Sequence, residues 1–196
     1  MKNRKLKLRF WILSMLLLSI SCKKDVVDNT VDCNDGQNRN IEAFFNALNN
    51  QSGYTLYESM DLLTHEYTFT TTTDIQVCGF GYKSAGNSLI YTIELQGSNG
   101  MLYTGNHSFS SAQFDYVSIP PITLTAGTYT LRRTVTNNSN LSETIGPITR
   151  GANNTSPNFP INLGGNITIE SANFYGSGGP VPNYGVPNIY FEYVEL

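Results

Sequence analysis

Long apolar runs, tryptophan and histidine are scarce in this sequence. The longest apolar stretch is residues 10–21, about twelve residues, whereas a membrane-spanning helix needs about 20. The histidines, His65 and His107, are interpreted as surface or edge residues, and the chain has no HExxH, CxxC or GxSxG motif. These absences argue against zinc catalysis and Ser-His-Asp catalysis, and we expect neither a metal nor a cofactor. The single tryptophan, Trp11, lies within the short apolar run of residues 10–21.

Charge is also scarce, and its distribution is uneven. Charged residues make up 14% of the chain, and five of the 12 lysines and arginines lie within residues 1–9. The rest of the chain therefore carries seven bases against 15 acids. Because this remainder is acidic and has no basic cluster, a nucleic-acid partner is excluded, as is adhesion to anionic lipid through protein charge.

The N-terminus has the layout of an export signal. A basic segment, residues 1–9, precedes the short apolar run, and Cys22 follows Ser19-Ile20-Ser21. This pattern resembles a bacterial lipoprotein signal, although Ser19 stands where such signals most often have Leu. The resemblance implies removal of residues 1–21, acylation of Cys22 and attachment to the outer membrane of a gram-negative cell, with the periplasmic or surface face left open. The alternatives are an ordinary cleaved signal and, less favoured, an uncleaved membrane helix.

Residues 22–38 are polar, acidic and aperiodic, and they are predicted to form a flexible tether after the acylated cysteine. If Cys22 is acylated, Cys33 and Cys78 remain, and an even number of cysteines in an exported protein suggests a disulfide. Such a bond would close a loop of about 45 residues and contribute about 4 kcal/mol in the chain-entropy treatment. The alternative is two unpaired thiols.

A change of hydrophobic period divides the remaining chain. Residues 39–57 are predicted as a short helical or irregular segment, because Ile41, Phe44, Phe45 and Leu48 have helical spacing. The aromatic residues nearby leave a strand as the alternative.

Residues 58–196 alternate with a period of two between turn signals, which predicts one antiparallel β-sandwich of about seven to nine strands. Pro120-Pro121 removes two backbone donors, so that strand should bend or lie at an edge.

Residues 65–135 add a second resemblance. Gly79-Phe80-Gly81-Tyr82, Tyr91-Thr92-Ile93-Glu94-Leu95 and Leu124-Thr125-Ala126-Gly127-Thr128-Tyr129 occur in an order similar to that in jelly-roll accessory domains of bacterial surface proteins. The resemblance implies a jelly-roll-like sandwich akin to carbohydrate-binding or adhesive modules. It implies no residue-level chemistry.

Three side chains are candidates for ligand contact. Strict alternation puts Arg133 on the apolar face with Leu131 and Val135, so it is expected to be shifted outward by a bulge, paired with an acid, or directed into a rim pocket. Tyr175 and Tyr184 flank a Gly/Pro-rich stretch, residues 173–187, that is predicted to be a long loop. Such a loop would either display both rings to a glycan or cap one end of the sandwich.

These features predict a lipid-anchored binding or structural module of the cell envelope and not an enzyme. One hypothesis is glycan recognition, and another is an adhesive or assembly component that pairs with other envelope proteins through exposed strand edges. A small envelope hydrolase is the outside alternative, since two of the scattered acids could meet as a glycosidase pair.

The lipid anchor makes a direct prediction. Replacement Cys22→Ser should abolish acylation and move the protein from the membrane fraction to the soluble fraction, because the acyl chains supply about 0.8 kcal/mol per buried methylene. Metabolic labelling with a fatty acid and cell fractionation measure both effects. Membrane retention of the unlabelled Cys22→Ser protein would contradict this prediction.

Overall fold

The computed structural model describes residues 55–59, 63–137, 146–176 and 178–196. The described chain is almost entirely β-structure, as the period of two predicts. In chain order its strands are β1 Thr55–Ser59, β2 Thr64–Thr71, β3 Ile75–Tyr82, β4 Tyr91–Gly97, β5 Gly100–His107, β6 Asp115–Leu124, β7 Gly127–Val135, β8 Gly146–Arg150, β9 Ile161–Asn162, β10 Ile167–Gly176, β11 Gly179–Pro182, β12 Val186–Pro187 and β13 Tyr190–Glu195.

All pairings between the described strands are antiparallel, and they form three sheets. The large sheet has seven strands: six in the order β11-β10-β2-β7-β4-β5, and β9, which pairs with β10 beside this path. Two three-stranded sheets have the orders β13-β3-β6 and β1-β8-β12. The all-β antiparallel sandwich predicted from the sequence is confirmed, with more strands than expected because several are very short.

Aromatic pairs join the large sheet to the β13-β3-β6 sheet. Phe69 of β2 stacks on Phe191 of β13 with ring centroids 5.1 Å apart. Tyr91 of β4 meets Tyr82 of β3 edge-on at 5.0 Å. Aromatic pairs at such distances contribute about 0.5–1.5 kcal/mol beyond the burial of their apolar area. These contacts place the core between the two layers and leave the opposite face of the large sheet outside it.

The β6 strand behaves as its prolines predict. It is an edge strand of the β13-β3-β6 sheet, and its register against β3 shifts between Val77 and Gly79. Because Pro120 and Pro121 cannot donate backbone hydrogen bonds, an edge position with an irregular register is where they are tolerated.

No helix in the described part of the chain is long and apolar enough to cross a membrane. The segment predicted at residues 39–57 as helical or irregular lies outside the described residues except for its end, which from Thr55 belongs to β1.

A buried polar contact joins β2 and β7 within the core. Arg133 pairs with His65 across the two strands and is 0% exposed. Its Nη2 donates to the His65 ring at 2.9 Å, and its Nη1 donates to the Leu63 carbonyl at 3.0 Å. Burial, followed by the charge of Arg133, lowers the pKa of His65 well below its ordinary value. The neutral ring can therefore accept a hydrogen bond from the guanidinium, which limits the cost of burying the charge. His65, interpreted from the sequence as a surface or edge residue, is fully buried.

Gly146 at the start of β8 gives a stability prediction. A Cβ at this position would lie 2.0 Å from the Tyr82 hydroxyl oxygen and 3.0 Å from Arg133 Nη2, both fully buried side chains. Replacement Gly146→Ala should therefore lower the free energy of unfolding by about 1–3 kcal/mol, the usual cost of overpacking. Chemical denaturation measures the change.

Gly127→Ala is the matched control, because Gly127 also begins a strand and a Cβ there meets only ordinary contacts, beginning at 3.6 Å. Equal stability of the Gly146→Ala and Gly127→Ala proteins would contradict this packing.

Candidate functional site: the outer face of the large sheet

A line of polar side chains crosses the outer face of the large sheet. The strand registers align Asn173 of β10, Glu66 of β2, Arg132 of β7, Glu94 of β4 and Thr104 of β5. Their sequence neighbours point into the core, because successive side chains in a strand face opposite sides of the sheet. We call these five residues the polar row. It brings two carboxylates, a guanidinium, an amide and a hydroxyl onto one surface.

Glu66 holds the centre of the polar row in place. Its Oε2 accepts a hydrogen bond from Arg132 Nε at 2.7 Å and lies 2.6 Å from Arg132 Nη2. Its Oε1 accepts from the Tyr175 hydroxyl at 2.6 Å and from Asn173 Nδ2 at 3.5 Å. Glu66 is only 6% exposed, so these contacts are partly shielded from water and fix the orientation of Arg132. The hydrogen bond to Glu66, followed by burial, raises the pKa of Tyr175, which keeps its hydroxyl protonated as a donor.

The other side of the Arg132 guanidinium faces Glu94. Arg132 Nη1 lies 3.6 Å from Glu94 Oε2, which is within ion-pair range but too long for a hydrogen bond. Both side chains are partly exposed, at 35% for Arg132 and 25% for Glu94. This gap therefore presents a fixed donor next to an accessible acceptor.

Hydroxyl groups surround the polar row. Cross-strand pairs include Thr64 with Thr134, whose Oγ1 atoms are 2.9 Å apart, and Thr68 with Thr130 at 3.3 Å. Further out, Thr92 Oγ1 donates to Asn106 at 2.7 Å. Such pairs stabilise the sheet while leaving lone pairs of the hydroxyl oxygens open to solvent.

An open depression of about 290 Å³ lies beside the centre of the row. Residues from three strands line it, among them Glu66, Arg132, Gln96, Thr128 and Thr130. Its lining includes a carboxylate, a guanidinium, an amide and hydroxyl groups, together with apolar carbon surface. It therefore offers several hydrogen-bond partners to a ligand that also has apolar faces.

Arg133, the first ligand candidate from the sequence, lies inside the sandwich. Strict alternation placed it on the apolar face, and the burial pattern of β7 confirms that placement. Its guanidinium lies within 6 Å of the rings of Tyr82 and Tyr91, at 5.6 and 5.7 Å, in addition to the contacts with His65 and Leu63. Because the side chain is completely buried, the structure argues against direct contact of Arg133 with a ligand. Its contacts instead give it a structural role in the core.

The tyrosine pair does not form one site. The stretch predicted as a long loop, residues 173–187, contains the end of β10, β11 and β12, and that loop prediction is wrong. Tyr175 lies on the outer face, where it contacts Glu66. Tyr184 packs edge-on against Phe174, whose side chain is in the core, and the Arg150 guanidinium carbon lies 3.4 Å above its ring. Because Phe174 and Tyr175 are consecutive in β10, the two tyrosines lie on opposite sides of that strand.

The cysteines fall in different parts of the chain. Cys22 and Cys33 lie outside the described residues, so acylation and the Cys33–Cys78 pairing stay predictions. Cys78 is 3% exposed and packs with Val194 in a small cluster separate from the main core.

The described residues contain few groups arranged for catalysis. His107 Nε2 lies 2.7 Å from the Tyr103 hydroxyl, and burial lowers the pKa of this histidine. Within the described ranges no three acid, histidine or cysteine side chains are grouped so as to hold a metal ion. Glu66 lines the depression, and Glu94 contacts the same arginine as Glu66.

The importance of Glu66 is missed when only the sequence is considered. It alternates with His65 and Tyr67 and shares its parity with Thr68 and Thr70, which marks it as outward-facing. Its partners Arg132 and Tyr175 are 66 and 109 residues away in the chain. That separation requires the register of three strands to be known before the contacts can be predicted.

Solved structures of other proteins include one that is similar to part of this chain. The described fold is similar to a family 35 carbohydrate binding module from an environmental isolate, at 14% identity and a TM-score of 0.30, over 67% of this chain and 81% of that one. At these values the similarity supports no inference about a ligand. No protein-family model and no curated protein matches the chain.

Proposed function

We propose that this protein is a lipid-anchored module of the cell envelope that binds a glycan on the outer face of its large sheet. The observation that carries the proposal is the 3.6 Å gap between Arg132 Nη1 and Glu94 Oε2 over an open polar surface. A sugar hydroxyl is both a donor and an acceptor, so one hydroxyl or two neighbouring ones can accept from Arg132 and donate to Glu94. Such charge-assisted hydrogen bonds are about twice as strong as neutral ones.

Pre-organisation favours binding at this gap. Glu66 already holds Arg132 through two short contacts, so little side-chain entropy is lost when a ligand arrives. The surrounding threonines and Gln96 offer further hydrogen bonds along the face, and Tyr175 offers part of an aromatic ring. These groups match the alternating polar and apolar surface of a sugar.

The same contacts favour binding over hydrolysis. A glycosidase needs one carboxyl group to protonate the leaving oxygen and a second to act as base or nucleophile. Glu66 accepts from Arg132, Tyr175 and Asn173, and Glu94 pairs with the same arginine. These contacts use both carboxylates to hold the same arginine, an arrangement that favours binding over proton transfer. A hydrolase therefore stays the outside alternative.

Attachment to the membrane is supported by the sequence pattern at residues 1–25. An acylated Cys22 followed by the polar tether would hold the domain close to the outer membrane of a gram-negative cell. Because the rest of the chain is acidic, the acyl chains and not protein charge hold the domain on the membrane. The protein surface is then available to a partner. In this position a glycan-binding face would retain polysaccharide near the membrane.

The second candidate function is assembly by strand addition, in which a strand of a partner protein pairs with the edge strand β5. This edge strand of the large sheet contains neither proline nor a charged residue, and Met101 and Leu102 are exposed. The opposite edge, β11, is shorter and carries Pro180 and Pro182. An uncharged, proline-free edge is the kind that accepts a strand from a partner protein. Crosslinks from β5 to another envelope protein, without glycan binding, would favour this assembly function.

Replacement Glu94→Gln tests the glycan proposal. It keeps the size of the side chain but removes the charge-assisted acceptor, so affinity for a bound glycan should fall about tenfold, or about 1.4 kcal/mol. A glycan array spanning neutral, amino and acidic polysaccharides identifies the ligand, and titration calorimetry measures the loss.

Glu195→Gln is the matched control, since Glu195 is exposed on β13 and contacts Asn166 at 3.0 Å in a different part of the molecule. An unchanged affinity in Glu94→Gln would contradict binding at the polar row, and an array without any bound glycan would contradict the proposed function.

A further inference from the structure

The polar row runs across the strands and not along them. Its members occupy five neighbouring strands in the order β10, β2, β7, β4 and β5. Four inter-strand spacings of about 4.8 Å give a length of about 19 Å. That length is several times the width of one sugar ring.

Both ends of the row are accessible. Thr104 at the β5 end is exposed, and Asn173 at the β10 end is partly exposed. Beyond Thr104, β5 is the edge of the sheet. Tyr175, which neighbours Asn173, keeps its hydroxyl bound to Glu66 and so lies against the row. Because neither of these two end residues is buried, a ligand chain can extend past them.

The charges along the row are concentrated in its middle. Glu66, Arg132 and Glu94 occupy its three central positions, and the two ends carry an amide and a hydroxyl. The centre therefore has one excess negative charge, and Glu170 adds another acid on the same face, where it accepts from Thr70 at 2.7 Å. Polyanionic chains would be repelled at this face, because the only base among the row residues is already paired with Glu66.

We infer that the ligand is an extended polysaccharide without acidic groups, bound across the strands at an internal stretch of several sugar units and not at its end. This inference rests on the proposed glycan-binding function. The central gap contacts one or two hydroxyls, and the end residues add contacts only when the chain is long enough to reach them. Affinity should therefore increase with chain length until the row is filled.

The length dependence can be measured with defined probes. Neutral β-1,4-linked glucose, β-1,4-linked mannose and α-1,4-linked glucose oligosaccharides, from monosaccharide to hexasaccharide, are titrated into the protein by calorimetry. In the series that binds, the tetrasaccharide should bind about tenfold more tightly than the disaccharide, with a smaller further gain at the hexasaccharide. A homogalacturonan oligosaccharide of equal length should bind at least about tenfold more weakly.

Variants at the ends of the polar row test whether the gain in affinity with oligosaccharide length comes from contacts at those ends. Thr104→Ala and Asn173→Ala should reduce binding of the hexasaccharide by a larger factor than binding of the disaccharide. Glu94→Gln should reduce both. Thr123→Ala, at an exposed position of β6 in the other layer, is the control for Thr104→Ala. Thermal melting of each variant establishes that it folds.

The outcomes distinguish the two proposals. Length-dependent binding that is sensitive to both end variants supports an extended chain on the row. Equal affinity for disaccharide and hexasaccharide, or stronger binding of the acidic chain, overturns this inference while leaving glycan binding in place. No binding of any oligosaccharide in the three series and no glycan retained on the array overturns the proposed function and this inference with it.

Discussion

The register between β2 and β7 is the constraint on which the rest of the structure depends. Two consecutive arginines of β7 pair with two consecutive residues of β2, Arg132 with Glu66 and Arg133 with His65. The first pair lies on the outer face and the second inside the sandwich. If the pairing of β7 with β2 slipped by one residue, Arg132 would turn into the core and Arg133 would turn to the surface. Both contacts would then be lost together, so both favour the observed register. Breaking a buried charged contact costs about 3–5 kcal/mol, which makes such a slip unfavourable.

The same register creates the surface to which we assign binding. Because β2 and β7 lie at the centre of the large sheet, their alignment places Glu66 and Arg132 between Asn173 on one side and Glu94 on the other. The inward contacts of Arg133 with His65, Tyr82 and Tyr91 keep the two strands from shifting. A well-packed core thus supports a pre-organised polar face, and a ligand needs to order few side chains when it binds.

The alternation of residues along a strand and the positions of prolines are sufficient to predict which face or edge of a sheet a residue occupies. Alternation in β7 placed Arg133 on the inner face, and Pro120-Pro121 placed β6 at an edge, because both depend only on residues close in the chain. The sequence predicts a loop where the β10–β11 hairpin lies, since its glycines and prolines are typical of turns, and that prediction is wrong. The structure accommodates Pro180 and Pro182 in an edge strand, and Asn183 closes the segment by accepting from the Ala172 amide at 3.0 Å. The site itself is less predictable, because Glu66 and its partners Arg132 and Tyr175 lie 66 and 109 residues apart in the chain and come from strands whose order only the tertiary structure reveals.

The most direct test of a binding face on the large sheet is to map a bound oligosaccharide onto the folded protein by NMR chemical-shift perturbation. We expect the largest changes at the backbone amides of Glu66, Glu94 and Arg132, with smaller changes toward β10 and β5. The amides of β3 and β13 in the opposite layer should be unaffected. Perturbations confined to the β13-β3-β6 sheet or to the loops at the ends of the sandwich would contradict the account.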